Sequence, residues 1–213
     1  MADRKRQLDK LRAECAHFLS AIYPGQNKVL VFGEGNPEAD IVLIGEAPGA
    51  QETEEQRPFV GKAGQNLNDF LQRIHLDREA LYVTNAVKFR PVKVHPRTGS
   101  LSNRPPTREE VALCYSFLTQ EIAIIAPKVL VTLGNTPLQA VLDDSHATIG
   151  ALHGQLQPVT VGEVETALYP LYHPASLIYR KSLAETYDAD MAHLSEILHE
   201  KGWLPPDLPQ KNQ

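Results

Sequence analysis

Cysteine is nearly absent. The 213 residues hold two, Cys15 and Cys114, without the repeated spacing that a disulfide framework or a complete metal site shows. Each alone reads as a small buried hydrophobe. Long apolar runs are missing as well: the stretch from Glu121 to Leu133 is broken by Pro127 and Lys128, well short of the ~18 residues that a membrane helix needs. No membrane association is expected. From Arg4 to Arg12 charge alternates with leucine, and neither the apolar stretch nor the small-residue cleavage site of an export signal is found there. A cytoplasmic location is the expectation. Internal repeats and low-complexity tracts are also lacking. With 42% hydrophobic residues the chain is long enough to bury one sizeable core. A single domain over residues 1–204 is expected, followed by a Pro-rich, frayed tail at 205–213.

The net charge of −5 argues against affinity of the whole surface for nucleic acid, but it hides a local excess of the opposite sign. Between Lys88 and Arg108 stand six cations, Lys88, Arg90, Lys93, Arg97, Arg104 and Arg108, and no Asp or Glu. Such a segment either lines a phosphate track or forms a solvated loop, and charge alone does not choose between them.

Leu8, Leu11, Cys15, Phe18 and Ile22 recur every three or four residues, the stripe of an amphipathic docking helix. Four strand-length apolar runs follow, at Ile41 to Ile44, Leu81 to Val87, Val129 to Leu133 and Ala167 to Tyr172. Helical patterns lie between them, at Asn66 to Ile74, Arg108 to Ile125 and Pro137 to Leu142, and a last one spans Ser182 to Glu200. Alternation of this kind is what a parallel sheet requires, here an α/β fold with four main strands. The run from Val29 to Phe32 reads as an edge strand or hairpin arm.

Each main strand runs into a polar turn: Gly45-Glu46-Ala47-Pro48-Gly49, the segment at Asn85, Gly134-Asn135-Thr136-Pro137, and His173-Pro174-Ala175-Ser176. Open α/β sheets bind ligands beyond the carboxyl ends of their strands, so Glu46, Asn85 and His173 are expected to meet in one pocket. The first turn opens a loop rich in Gly and Pro that carries one aromatic residue, Phe59, between Pro58 and Val60. Its composition suits close approach to a ligand.

The stretch GEAPGAQETEEQRPFVGKAGQNL, from Gly45 to Leu67, closely resembles the first motif of family 4 uracil-DNA glycosylases. Asn85 in TNAVK resembles the family's uracil-reading asparagine, and HPASL at His173 to Leu177 resembles its second motif. The resemblance implies a three-layer α/β/α fold around a short, four-stranded, mainly parallel central sheet, and hydrolysis of the N-glycosidic bond of uracil in DNA as a step of base-excision repair; a monomer acting on single- or double-stranded DNA is expected. Phe59 would stack on the pyrimidine, with Gly45 and Ala47 beside it in the uracil pocket. Asn85 offers one donor and one acceptor that match uracil O4 and N3–H, whereas cytosine reverses both. His173 would donate to uracil O2, where negative charge develops as the base leaves. Glu46 would stabilise the oxocarbenium-like sugar or position the attacking water, and Glu52 is the second carboxylate candidate. Leu177, or Ile178, resembles the apolar wedge pushed into the vacated groove, with Arg180 and Lys181 gripping adjacent phosphates. Lys88, Arg90, Lys93, Arg97 and Arg104 are expected on DNA as well.

The chain departs from that family in two places. Family 4 proteins typically hold a four-iron, four-sulfur cluster on four cysteines. Here Cys15 and Cys114 match two ligand positions, while Phe18 and Phe89 stand at the others. Two thiolates do not hold such a cluster in this family, so no cofactor and no metal are expected, and the volume is expected to be refilled by apolar packing. A rescue site built from His17 or His95 with the cysteines is the alternative. The second departure is a lengthened loop from Pro91 to Pro106, which places Asn103 where a related branch carries a sugar-trapping histidine; turnover rather than trapping is expected. Two other functions compete with the enzyme reading. One is a uracil- or nucleic-acid-binding protein that keeps the pocket without turnover, against which Glu46, Asn85 and His173 count. The other is hydrolysis of free nucleosides, which needs no cationic track.

Overall fold

The computed structural model describes residues 2–26, 28–176 and 181–204, with the side chain of Lys181 excepted. The chain opens with α1 (Ala2–Ile22), whose buried stripe is Leu8, Leu11, Cys15 and Leu19. Phe18 is only half-buried and Ile22 is exposed, because the stripe continues from Cys15 by a step of four rather than three. Then come β1 (Glu34–Gly35), β2 (Ile41–Gly45), α2 (Ala50–Glu55), α3 (Lys62–Arg73), β3 (Tyr82–Asn85), β4 (Val92–Val94), β5 (Leu101–Asn103) and α4 (Arg108–Ile125). After them follow β6 (Val129–Leu133), α5 (Asn135–Leu142), α6 (Ile149–Leu152), β7 (Gln157–Val161), β8 (Val164–Leu171) and α7 (Ala184–Glu200).

The central sheet has the order β1-β3-β2-β6-β8-β7. Its inner four strands are parallel and coincide with the four apolar runs of the sequence. Antiparallel edges at β1 and β7 raise the expected four strands to six. The expected edge at Val29 to Phe32 is corrected. Val31 makes a single backbone bond to Lys88 O, 2.8 Å, and the true edge is the two-residue β1. β7 escaped notice because it is only half-buried and carries Pro158, which an edge strand tolerates.

Side chains alternate across β2. Val42 and Ile44 pack with the buried faces of α1, α4 and α5, while Ile41 and Leu43 pack with those of α3 and α7. These are the three expected layers, with apolar side chains filling both faces of a sheet buried on both sides. α4 is closed by a capping box in which Thr107 accepts from Glu110 N and Glu110 accepts from Thr107 N. Because the inner strands are parallel, Gly45, Asn85, Leu133 and Leu171 all end on the same edge of the sheet. Among the described residues no helix is long and apolar enough to cross a membrane.

Candidate active-site cleft

Beyond those strand ends lies a cleft of about 370 Å³ lined by Glu46, Phe59, Asn85 and His173 among others. The convergence of these four residues, distant in sequence, is thereby found in the structure. Gly45 and Asn85 are register partners, and the ladder continues past the strands as Ala86 N donates to Gly45 O and Val87 N to Glu46 O, at 2.8 and 3.0 Å. Glu46 and Asn85 are therefore fixed relative to one another by backbone bonds. A Cβ at Gly45 would collide with Asn85 Oδ1 and with the Phe59 ring, so the close approach of these two groups needs glycine there.

Phe59 is buried and sits at φ 54°, a left-handed conformation costly for a side chain of its size. Arg78 holds it there, donating to Phe59 O at 3.1 Å and to Pro58 O at 2.7 Å. Gly64 lies directly against the Phe59 backbone, and any Cβ at that position would overlap it. Nothing in the sequence near Arg78 signals this clamp, because the oxygens it holds on Phe59 and Pro58 belong to the backbone of a distant loop, and its side-chain partners Asn68 and Glu34 are also remote in sequence.

Glu46 Oε2 accepts a 2.6 Å hydrogen bond from Thr136 Oγ1, the first turn of α5. Thr136 was visible in the sequence only as part of a strand-end turn; its role is to aim the carboxylate. The side chain of Asn85 makes no hydrogen bond among the described residues, so its donor and acceptor are free for a ligand. His173 Nδ1 accepts from Ala175 N at 3.1 Å, which leaves its proton on Nε2. Burial holds its pKa below the ordinary 6.5, opposed by the Glu52 carboxylate, and the imidazole is neutral at pH 7. Its ring lies nearly parallel to that of Phe59, 27° apart with centroids at 6.2 Å.

Glu52 lines the cleft, but both of its oxygens are taken. Oε2 accepts from Gly49 N at 3.1 Å and Oε1 from Gly61 N at 2.8 Å. It clasps the two ends of the glycine-rich loop, a structural task performed at the edge of the cleft where a second catalytic carboxylate is expected. Ala47 lines the cleft as expected, and Gly45 lies behind it.

The expected DNA-binding cations divide. Lys88 is corrected: its side chain is fully buried, donates to Thr84 Oγ1 at 2.7 Å and Asn85 O at 2.9 Å, and pairs with Glu121, so it reaches no phosphate. Glu121 also accepts from Tyr82 Oη and Gly33 N. Arg104 lines the cleft yet is tied to both oxygens of Glu110, at 2.6 and 2.7 Å, and to Val92 O; it supports the loop rather than standing free. Lys93 and Arg97 are exposed, and Arg90 donates to Asn103 Oδ1 at 2.7 Å. The lengthened loop is a hairpin of β4 and β5, and its last residue, Asn103, reaches the cleft. The wedge candidates Leu177 and Ile178 lie outside the described residues, as do Arg180, the side chain of Lys181 and the tail 205–213.

Cys15, Phe89 and Cys114 are all fully buried in one apolar cluster, with Phe18 packed against it. Phe18 meets Phe117 at 5.3 Å between ring centres and Phe89 meets Tyr23 at the same separation. Burial pushes the Cys15 thiol up to about 12 against the pull of Lys88, and Cys114 is raised for the same first reason. His17 and His95 are exposed, the latter accepting from Arg97 N and Thr98 N. Among the described residues no three His, Cys, Asp or Glu side chains are grouped to hold a metal. Two buried, protonated thiols in an apolar cluster do not match the four thiolates of an iron–sulfur cluster.

Residues 32–200 match the family model described as the uracil DNA glycosylase superfamily. The type-4 uracil-DNA glycosylase of Archaeoglobus fulgidus is 37% identical over 172 residues, covering 79% of this chain and 82% of its own length. That of Thermotoga maritima is 38% identical over 153 residues, 72% of this chain and 73% of its own. A type-5 uracil-DNA glycosylase of Pyrobaculum aerophilum is 32% identical over 159 residues, 67% of this chain and 64% of its own.

Proposed function

Since the chain belongs to the uracil-DNA glycosylase superfamily, alongside its type-4 members, we propose that it hydrolyses the N-glycosidic bond of deoxyuridine in DNA, taking the extruded base into this cleft and leaving an abasic site. The observation that carries the reading is the junction of an unengaged Asn85 amide, a neutral His173 with Nε2–H available and an aimed Glu46 carboxylate around one space.

Each group has one task. Asn85 donates to uracil O4 and accepts from N3–H; cytosine in the same place would leave both groups facing like partners, at about 1–3 kcal/mol for each unsatisfied one. Phe59 covers the pyrimidine face. As the N1–C1′ bond breaks, its electron pair leaves with the base, and the charge reaching O2 meets the Nε2–H of His173. A neutral donor suits this task because it is strengthened by charge that develops only in the transition state. Positive charge growing on the sugar faces Glu46, which also accepts the proton of the water that adds to C1′. The rigid pairing of β2 with β3 keeps carboxylate and amide in register without reorganisation.

The test is release of free uracil, followed by chromatography, from an oligonucleotide with one deoxyuridine and from its deoxycytidine counterpart. The wild type is expected to release uracil and no cytosine; Asn85→Ala loses about tenfold to a hundredfold on uracil. Uracil-selective binding without release would leave a non-catalytic reader of the base in place of the enzyme.

A further inference from the structure

Along the same face of the β4–β5 hairpin as the Asn103 side of the base cleft lies a second groove of about 360 Å³, lined by Lys28, Val29, Thr53, Arg90, Val92 and Leu101 together with Gln26. The two spaces are continuous in their walls. Arg90 lines the groove and its Nε holds Asn103, which lines the cleft; Leu101 and Asn103 alternate along the same strand and so project from the same face of it. Among the described residues no carboxylate lines the groove. Glu110, the acid that feels the charge of Lys28, is already taken by both guanidinium nitrogens of Arg104.

The hairpin also carries an unexplained apolar surface. Among the described residues three large hydrophobic side chains are exposed, and two of them, Val94 at 62% and Leu101 at 55%, are cross-strand partners here. An isolated two-stranded hairpin is marginal in water, and leaving its apolar pair open adds nothing to its stability. The opposite face holds Lys93 and His95. An aliphatic floor with two cations at its side, opening beside a base cleft, has the composition of a site for one nucleotide: apolar surface for a base, positive charge for its phosphate.

We propose that this groove is a subsite for the nucleotide adjoining the target uracil on the same strand, its base lying on Val92 and Leu101 and its phosphate between Lys28 and Arg90. The inference rests on the glycosylase reading for the identity of the cleft. It makes the hairpin a reader of unpaired flanking sequence, since a neighbour can lie on this floor only when it is not paired with an opposite strand.

A cycle across protein and substrate tests it. Single-stranded oligothymidylates with one deoxyuridine are compared with versions in which the 5′ or the 3′ neighbour is a tetrahydrofuran spacer lacking its base, using wild type, Leu101→Ser and Lys28→Ala. One of the two spacers is expected to raise the wild-type KM about fivefold with kcat unchanged. Leu101→Ser should show the same loss on the intact strand and no further loss on that spacer. Lys28→Ala should reduce the salt dependence of KM equally on all substrates. Unchanged thermal midpoints, followed by circular dichroism, separate these effects from unfolding. Losses that multiply on both spacers, or a Leu101→Ser protein indistinguishable from wild type, would overturn the subsite. If the wild type releases no uracil from any strand, the glycosylase reading fails separately, and the same cycle read as Kd by fluorescence anisotropy still decides the groove.

Discussion

Lys88 Nζ donates to the backbone oxygen of Asn85 at 2.9 Å from a position with no solvent exposure, beside the equally buried carboxylate of Glu121. The charge pair therefore stands immediately behind the amide assigned to read the base. Attraction between two buried charges offsets the cost of desolvating them only while both are present. Lys88→Met, which leaves Glu121 buried and unpaired, is expected to cost about 3–5 kcal/mol in urea unfolding. Lys88→Met combined with Glu121→Leu should recover most of it. The salt dependence of DNA binding in the double variant should equal that of wild type; a reduced slope would return Lys88 to the phosphate contacts.

Glu46 and Glu52 share one loop and have opposite dependencies. Glu52 satisfies two backbone donors, Gly49 N and Gly61 N, and so holds the loop that carries Phe59. Glu52→Ala is expected to lower stability by about 1–3 kcal/mol and to raise KM as the loop loosens. Glu46→Gln keeps an acceptor for Thr136, leaves the melting temperature unchanged and lowers kcat by about a hundredfold or more. A Glu52 variant with native stability but a collapsed kcat would restore it to the chemistry.

The contrast between these two glutamates shows what the sequence conveys and what it hides. Strand-length apolar runs ending in polar turns were enough to place Glu46, Asn85 and His173 at one edge of a parallel sheet, because period and punctuation are local properties. The destination of a side chain is not local. Lys88 reads as one more cation in a basic segment, yet Ala86, Val87 and Phe89 around it are buried and the lysine is drawn inward to Glu121, a residue from the C-terminal part of α4. Arg104 likewise looks free until α4 brings Glu110 beside it. Edge strands as short as Glu34–Gly35 carry no pattern at all, since two residues have no period.

The tautomer of His173 gives the enzyme a definite acid limb. Its pKa is depressed by burial, so between that value and about 6.5 the unfolded chain binds more protons than the folded one. Stability supplied by the neutral form is complete above about 6.5 and declines as pH falls below it. Protonation at Nδ1 would also expel the Ala175 N–H. The excision rate is expected to be level above pH 7 and to fall with an inflection below 6.5 that is absent from His173→Gln. An inflection above 6.5 that disappears with the same substitution would contradict a neutral donor.

Cys15 and Cys114 test the refilled cluster position. Both thiols are buried and raised, Cys15 to about 12, so native protein at pH 8 should resist iodoacetamide, with both sites labelling only after denaturation. Rapid native labelling of Cys15 would show that Phe89 and its neighbours do not close the site.

The most direct measurement is multiple-turnover excision from a 5′-labelled, uracil-containing oligonucleotide, by protein whose iron content is assayed in the same batch. Repeated turnover with less than one iron per several chains, abolished by Glu46→Ala and by His173→Ala, is the predicted result. Activity that rises in proportion to iron would contradict the packing of Phe18 and Phe89 in place of ligands, and iron-free protein that binds uracil-containing DNA without cleaving would contradict the glycosylase itself.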